Sequence, residues 1–356
     1  MTEVFSAVAP INIALVKYMG KLDPNVNLPA NESVSLTLSS LCTFTECSLK
    51  ESEQFEVTWI AEAPQSQAGM VPDLDTVGVN KIIQHIKRVL SGLEEYLNIK
   101  ILNQKKIEVR SCNTFPQAAG IASSAAAFAA LTMAVIKLGL FLTKQDQENK
   151  LLLDKEFQRF IVKLSRCGSG SSCRSFYGPW VRWGKDSVEP IVSSLPEMAD
   201  LVVLVNSVPK KVSSTRAHEL VKTSRFWDGR VKRANDRVQK IVQAIKTGDT
   251  DTVSQIAWQE MWDMHSLFNT CEKPFTYWED RTIEILKWLE CYINGEKKGF
   301  TILPIVTSDA GANIHILVPQ TEAGAWLELI KNKFSDTVLQ DVQGCGVFIF
   351  HGGFAK

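Results

Sequence analysis

The most informative stretch of this chain is PQAAGIASSAAAFAAL, residues 116–131. Small residues run into two serines, and an alanine-rich, strongly helix-forming segment follows at once. Small side chains let backbone N–H groups approach an anion, and a helix N-terminus adds roughly half a positive charge. The stretch therefore predicts a polyphosphate cradle made by Ala119, Gly120, Ile121, Ala122, Ser123 and Ser124.

The alternative for this stretch is a buried alanine-rich helix with a serine N-cap, because serine is a preferred cap in any helix. The segment lacks the lysine of a GxxxxGK[ST] loop and the spacing of GxGxxG. A phosphate-binding loop here would therefore be of neither of these two types.

Size and composition indicate a large protein of the globular class. With 356 residues, 45% of them hydrophobic, more than one core is expected. Lys+Arg and Asp+Glu number 39 each, so the formal net charge is zero. The overall charge therefore gives no reason to expect nucleic acid or a membrane surface as a partner. Eight cysteines without a CxxC pair, and no signal peptide, predict reduced thiols and a cytoplasmic location. No apolar run is expected to reach the length of a membrane span.

Hydrophobic spacing predicts an α+β fold of two domains, residues 1–193 and 194–356, because strands and helices interleave irregularly. Prolines at 190 and 196 mark the boundary. Strands are predicted over 4–10, 34–44, 107–109, 201–205, 314–318 and 346–350, and helices over 79–93, 156–165, 231–245, 282–289 and 323–334.

The segment NIALVKYMGK, residues 12–21, places two lysines around an aromatic hydroxyl. Lys17, Tyr18 and Lys21 can converge on one anion if the segment forms a strand or a turn. Surface lysines beside a partly buried tyrosine are the alternative, and this segment alone does not exclude it.

A second small-residue loop occurs in SRCGSGSSCRSFYG, residues 165–178. Ser169 and Ser171 lie among glycines, and Arg174 follows directly. The planar guanidinium matches phosphate or carboxylate geometry. A flexible linker is the alternative, but the aromatic residues that follow favour an anion site built on a core.

The basic segment VPKKVSSTRAHELVKTSRF, residues 208–226, combines lysines and arginines with several hydroxyls. A solvated helix start is the simpler interpretation of most of these side chains. Ser213, Ser214 and Arg216 are the exceptions, because they stand where the helix is capped.

An aspartate in a predicted turn, Asp309, precedes a strand in TSDAGANIHIL, residues 307–317. Such an aspartate usually makes only local hydrogen bonds. Two phosphate-type loops and a cluster of lysines change this expectation, because a site that does more than bind needs an acid or a base.

These segments, in this order, resemble the diphosphomevalonate decarboxylases of the GHMP small-molecule kinase superfamily. NIALVKYMGK and the following NLPANESVSLTL resemble the N-terminal signature, and GIASSAAAFAAL resembles the phosphate loop. GSGSSCRSFYG resembles the substrate loop, SDAGANIHIL the segment with the catalytic aspartate, and WQEMWDMHSLFNTC a helix of the second domain. The resemblance covers nearly the full chain.

The resemblance implies a two-domain GHMP-kinase-like fold with the active site in a cleft between the domains. It implies ATP and Mg²⁺, and a reaction that phosphorylates the 3-hydroxyl of (R)-5-diphosphomevalonate and then releases phosphate and CO₂ to give isopentenyl diphosphate. It allows a homodimer.

The resemblance also implies a role for each site residue. Asp309 is the base, Lys17 keeps that carboxylate ionised, and Arg174 orients the carboxylate end of the substrate. The substrate-binding residues are Tyr18, Lys21, Ser169, Ser171, Arg174, Ser214 and Arg216. The nucleotide-binding residues are Ala119, Gly120, Ile121, Ala122, Ser123 and Ser124, and Ser124 or its neighbour Ser123 reaches Mg²⁺.

The chain departs from the family pattern at Met19, where tryptophan is usual, at Ala312, where proline is usual, and at Gly178-Pro179 in place of Gly-Gly. None of these changes removes a charged group. Two alternatives remain: a related enzyme acting on mevalonate or its monophosphate, and a non-catalytic sensor on the same fold. Asp309 favours decarboxylation, because relatives that only phosphorylate mevalonate lack it.

Overall fold

We analysed a computed structural model that describes residues 3–101, 105–116, 123–143, 148–206, 210–295, 297 and 299–350. The predicted cradle residues Ala119, Gly120, Ile121 and Ala122 lie outside the described residues.

The first half of the chain forms a mixed sheet covered by helices. Its elements are β1 (Glu3–Val16), β2 (Lys21–Asp23), β3 (Leu28–Pro29), β4 (Ser33–Glu51), β5 (Glu56–Trp59), α1 (Thr76–Leu97), β6 (Lys105–Asn113), α2 (Ser123–Leu142), α3 (Glu148–Leu153), α4 (Lys155–Gly168), a 3-10 helix (Gly170–Phe176), β7 (Trp180–Trp183) and β8 (Val188–Ile191).

The second half has the elements β9 (Met198–Leu204), α5 (Ser214–Leu220), a 3-10 turn (Val221–Thr223), α6 (Arg230–Thr247), α7 (Thr250–Thr270), α8 (Asp280–Ile293), β10 (Ile305–Thr307), β11 (Ile314–Pro319), a 3-10 turn (Gln320–Glu322), α9 (Ala323–Lys333), β12 (Thr337–Val342) and α10 (Val347–Phe350).

The long strand β4 organises the first sheet. Strand β1 pairs antiparallel along it, while β7 pairs with its first residues and β6 with its later ones. Helix α2 packs directly on β1 and β4, and its alanines allow this close approach. The C-terminal end of β1 therefore lies on a well-packed support, and the residues that follow it are held in place.

The second sheet has the order β10-β11-β9-β12, and all its pairings are antiparallel. Strand β9 lies in the interior, and its residues are almost all buried, as the apolar run from residue 201 predicts. Helices α8 and α9 cover one face through Leu286, Leu289, Trp326 and Ile330. The loop after β10 carries Asp309, and Thr307 at the end of β10 donates to the Ala14 carbonyl of β1 at 3.4 Å.

The two halves share one hydrophobic core. Ile13 and Leu36 of the first sheet cluster with Val202 and Leu317 of the second, and with Val238 of α6. Near the same junction, backbone N–H groups of residues 40 and 41 in β4 donate to the carboxylate of residue 341 in β12. The halves are therefore joined by buried apolar surface as well as by the chain.

Most of the predicted helices and strands are confirmed, but the strand over 346–350 is wrong. Gly346 has a φ of +80°, and a Cβ there would lie 2.5 Å from the backbone carbon of Tyr177. This left-handed residue ends the extended path, and helix α10 follows. The apolar run packs Phe348 against Phe176 and Tyr177 instead of pairing in a sheet.

The expectation about membrane-span length was also wrong. Helix α2 has 20 residues and a mean hydropathy of 2.1, so it is long and apolar enough to cross a membrane by length and composition. Yet 72% of that window is buried inside the protein, as a core helix would be.

Candidate functional site

A cavity of about 260 Å³ opens between the two halves of the chain. The end of β1, the 3-10 helix, the start of α5 and the loop after β10 surround it. We call it the main cavity. It brings together nine of the predicted site residues: Lys17, Tyr18, Lys21, Ser124, Ser169, Ser171, Arg174, Ser214 and Asp309.

Lys17 and Asp309 form an ion pair at this cavity. Lys17 Nζ lies 2.7 Å from Asp309 Oδ1 and also donates to the carbonyl of Ala14 at 2.6 Å. The lysine side chain is 2% exposed and the aspartate 23%, so the carboxylate is the more accessible member of the pair. The pair joins residues 292 positions apart, one from each half.

The charge state of this pair follows from its surroundings. Burial alone raises the pKa of Asp309, but the Lys17 ammonium outweighs burial and holds the pKa below its usual range. Burial lowers the pKa of Lys17, and the carboxylate opposes that effect. Asp309 is therefore ionised at neutral pH.

Buried charges from the second half hold the backbone of Lys17. Its N–H donates to Glu260 Oε1 at 3.1 Å, and its carbonyl accepts from Asn31 Nδ2 at 2.9 Å and from Arg230 Nη2 at 3.5 Å. Arg230 and Glu260 are both fully buried and form an ion pair, which Arg237 extends. Sequence reasoning missed this network, because its members come from different helices.

His265 holds the backbone of Asp309 in the same way. Its Nε2 lies 3.2 Å from the Asp309 carbonyl, and its ring stacks on Trp278 with centroids 4.1 Å apart. Burial, and then the charge of Lys17, lower the pKa of His265 to about 3, so the imidazole is neutral and donates a hydrogen bond. The sequence interpretation of His265 as a packed helix residue agrees with this position.

Arg174 is buried in the 3-10 helix with its orientation fixed. Its Nε donates to Asn12 Oδ1 at 3.0 Å, and its Nη1 donates to Ser33 Oγ at 2.7 Å. The guanidinium also lies over the ring of Trp183. Held in this way, the planar fork faces the main cavity with little freedom to reorient, which suits recognition of a carboxylate or phosphate.

Tyr18 and Lys21 also line the main cavity. Lys21 Nζ donates to Asn27 Oδ1 at 2.6 Å, and the Tyr18 ring packs against Trp183 with centroids 4.6 Å apart. A Cβ on Gly170 would lie 2.6 Å from the tyrosine hydroxyl oxygen, so the glycine of the substrate-type loop is required for this close approach.

The start of α2 and the loop before the 3-10 helix meet through two serines. Ser124 Oγ lies 3.2 Å from Ser169 Oγ, which connects the start of α2 with the loop before the 3-10 helix. A second cavity of about 200 Å³, lined mostly by apolar groups, opens beside this point between α1, α2, β4 and β6. Ser123 lines only the second cavity, whereas Ser124, Lys81 and Phe128 line both.

Arg216 does not reach either cavity. Its guanidinium pairs with Glu219 at 2.6 Å on the surface, while Ser213 caps the helix by accepting from the Arg216 N–H. Residues two apart on a helix point about 200° apart, so Ser214 and Arg216 cannot share one face. Position 218 is four residues from Ser214 and does share its face.

Several lining residues were missed by the sequence interpretation. They are Asn27, Lys81, Lys210, His218 and Met264. Helical spacing from Ser214 was the signal that could have identified His218, whereas Lys81 and Met264 lie in ordinary amphipathic helices. Met19, one of the departures from the family pattern, is 3% exposed and packs with Ala217.

Comparison with known proteins identifies the family of this chain. A family model described as diphosphomevalonate decarboxylase-like N-terminal domain matches residues 9–195, and one described as mevalonate 5-diphosphate decarboxylase C-terminal domain matches residues 200–345. Diphosphomevalonate decarboxylase of Candida albicans is 31% identical over 343 residues, 92% of this chain and 88% of that protein. The Saccharomyces cerevisiae enzyme is 32% identical over 326 residues, 86% of this chain and 76% of that protein.

Solved structures give the same result. A mevalonate diphosphate decarboxylase from Legionella pneumophila superposes with a TM-score of 0.78 at 36% identity, covering 95% of this chain and 100% of that one. A complex of MDDEF with MVAPP, AMPPCP and magnesium gives a TM-score of 0.76 at 27% identity and covers 98% of both chains.

Fold and site together define an enzyme of the GHMP kinase-like class, with an anion-binding cavity between its two halves. The Lys17–Asp309 ion pair lies within that cavity. The chain belongs to the diphosphomevalonate decarboxylase family.

Proposed function

We propose that the protein converts (R)-5-diphosphomevalonate and ATP into isopentenyl diphosphate, ADP, phosphate and CO₂. One observation carries the proposal: Lys17 and Asp309 lie 2.7 Å apart in a cavity whose other polar side chains are cations, hydroxyls, one amide and one imidazole. Such a cavity suits a substrate with a diphosphate and a carboxylate. An ionised aspartate among cations supports catalysis, because binding an anion does not require one.

In the proposed first step, Asp309 accepts the proton of the 3-hydroxyl as that oxygen bonds to the γ-phosphorus and ADP leaves. The bond from C3 to the phosphorylated oxygen then breaks and phosphate departs. The electron pair of the carboxylate C–C bond becomes the new double bond as CO₂ is released. Lys17 keeps Asp309 ionised beforehand and offsets negative charge during transfer.

Arg174 and the lining residues around Tyr18 position the substrate. Two nitrogens of Arg174 are already fixed by Asn12 and Ser33, so its fork is preorganised for the substrate carboxylate. Tyr18, Lys21, Ser169, Ser171 and Ser214 are proposed to hold the diphosphate. Lys210, which lines the same cavity, supplies the cation that sequence reasoning assigned to Arg216.

The second cavity is proposed to hold the nucleoside of ATP. Its lining is mainly apolar and it opens beside Ser124, at the start of α2. Phosphates extending from it toward the main cavity pass the N-terminus of α2, where backbone N–H groups and the helix dipole favour anions. This path leads from the second cavity toward Asp309.

Mg²⁺ fits this site as a phosphate-bound ion. Among the described residues, no group of three or more His, Cys, Asp or Glu side chains could hold a metal. Mg²⁺ usually relies on substrate phosphates and water, with few protein ligands. Ser124, near Ser169, would hold it, and the ion supplies charge neutralisation of the phosphates when bound. Ser124 lines both cavities whereas Ser123 lines only the second, so Ser124 is the better candidate.

The first test is product analysis with ATP, Mg²⁺ and three separate substrates: mevalonate, its 5-phosphate and its 5-diphosphate. We expect equal amounts of ADP and CO₂ from the diphosphate alone. ADP without CO₂ would identify a kinase and remove the proposed role of Asp309. Turnover of the monophosphate alone would keep the chemistry and change the assignment of the diphosphate residues.

We also propose a cytoplasmic location. All eight cysteines, each within the described residues, are free thiols, as expected in a reducing compartment. Fractionation of cells producing the tagged protein tests the location. The homodimer stays a prediction that sedimentation equilibrium would decide.

A further inference from the structure

His218 lines the main cavity and takes no part in the mechanism given above. It is 8% exposed and lies four residues after Ser214 on α5, on the cavity side of that helix. Its surroundings give it a defined orientation and a defined tautomer, and leave one ring nitrogen without a partner among the described residues.

The orientation of the ring is fixed by the segment that follows β1. His218 Nδ1 accepts from the backbone N–H of Gly20 at 2.9 Å, and the ring packs against Tyr18 with centroids 4.5 Å apart. Gly20 has a φ of +86°, and a Cβ there would lie 2.2 Å from the Trp227 ring, so this turn has little freedom to shift.

The tautomer follows from the contact with Gly20. Because Nδ1 accepts a hydrogen bond, the proton of the neutral ring is on Nε2. Burial, then the charges of Lys21 and Lys222, lower the pKa of His218 to about 3. No partner for Nε2 lies among the residues that the structure describes.

We propose that His218 Nε2–H donates a hydrogen bond to a phosphoryl oxygen of the substrate diphosphate, while its Nδ1 holds the Gly20 turn that presents Tyr18 and Lys21. This inference rests on the proposed function. A neutral donor adds direction to the binding of the diphosphate without another positive charge beside the lysines, where like charges repel. His218 is thus a specificity residue for the phosphate tail.

Two substitutions separate the two ring nitrogens. His218→Asn keeps an acceptor near the position of Nδ1 and removes the Nε2 donor. His218→Gln places an amide donor near the position of Nε2 and loses the Gly20 acceptor. Arg225→Gln is the control, because Arg225 is exposed in the same segment, lies over Phe226 and does not line the cavity.

We expect His218→Asn to raise the KM for the diphosphate substrate about 10- to 100-fold, the range for a lost hydrogen bond to a charged group. The KM for ATP is expected to stay within twofold, and kcat to change far less than KM. His218→Gln is expected to recover part of the loss, whereas Arg225→Gln leaves all three constants unchanged. A KM for the diphosphate substrate within twofold of the wild type in His218→Asn would overturn the proposal.

Binding of inorganic pyrophosphate, measured by titration calorimetry, keeps this test independent of turnover. We expect its Kd to rise at least tenfold in His218→Asn, and an unchanged Kd would overturn the inference. If the wild-type protein released no CO₂ from the diphosphate substrate, the proposed function would fail, while the pyrophosphate result would still decide the role of His218. Thermal midpoints show whether each variant is folded. If His218→Asn is not, His218→Leu takes its place, because leucine also removes the Nε2 donor; the same tenfold rise in the Kd for pyrophosphate is expected, and an unchanged Kd would overturn the inference.

Discussion

Glu260→Gln tests the buried charge network beneath Lys17. Glu260 accepts from the Lys17 N–H, from two nitrogens of Arg230 and from Arg237, and it is fully buried. Glutamine keeps the volume and can still accept from Lys17. It removes the negative charge, so Asp263 is the one carboxylate among the described residues that still pairs with Arg230.

The magnitude follows from the cost of leaving a buried charge incompletely paired. Removing one partner of a buried ion pair costs about 3–5 kcal/mol, and we take the lower end, about 3 kcal/mol, because Asp263 stays in place. At about 2 °C per kcal/mol for a long chain, the expected fall in Tm is about 6 °C.

Differential scanning calorimetry of both proteins at pH 7 measures this change. The control is Lys232→Gln on the exposed face of α6, where Lys232 pairs with Asp236 in solvent and loss of the pair should leave Tm unchanged. A Tm of Glu260→Gln within 1 °C of the wild type would refute the reasoning, because the network would then contribute no net stability. Isosteric replacement of buried ion pairs is sometimes neutral, which makes this outcome informative.

Four further outcomes are expected. Asp309→Asn should abolish CO₂ release while the Kd for ATP, measured by calorimetry, stays within a few-fold; near-normal turnover would exclude Asp309 as the base. Arg174→Lys should lower kcat despite keeping the charge, because one ammonium cannot replace a fork fixed by Asn12 and Ser33; unchanged kinetics would make Arg174 structural. The pKa of Asp309 is held below its ordinary value of 3.8, so kcat should not fall through protonation of this group between pH 5 and 8. The stability that its pairing with Lys17 contributes should be lost only as the pH falls below about 4. An inflection of kcat near pH 6 that Asp309→Asn abolishes would contradict this. Removal of Mg²⁺ with EDTA should stop ADP formation and added Mg²⁺ should restore it, whereas full activity in EDTA would exclude the metal.

Local patterns in the sequence identified the kinds of residue that line the cavity better than they identified how those residues are arranged. Lys17, Arg174 and Asp309 stand in short motifs whose residue types already indicate anion binding and acid–base work, and the structure brings them into one cavity. Arg216 was assigned to the substrate site because it follows Ser213 and Ser214 closely in the sequence, without regard to the direction in which its side chain leaves the helix. Two residues along a helix were enough to turn its side chain to the opposite face, where Glu219 pairs with it.

Contacts between distant segments were beyond sequence reasoning. The pairing of Arg230 with Glu260 depends on how α6 lies against α7, and no spacing within one helix specifies it. The strand predicted over 346–350 failed for a related reason. Its short apolar run fits a strand or a buried helical turn equally well, and the left-handed Gly346 together with the aromatic contacts of Phe348 decides between them.

The core shared by the two halves has a consequence for the chain that links them. Residues 192–197 form an exposed connection in which Val192 is 83% accessible to solvent, whereas Ile13, Val202 and Leu317 remain packed together beneath it. A protease that nicks this connection should therefore leave two fragments that migrate as one particle and keep Lys17 against Asp309. Either fragment produced alone would present its half of the core to water and aggregate, and mixing both during refolding should restore a working enzyme.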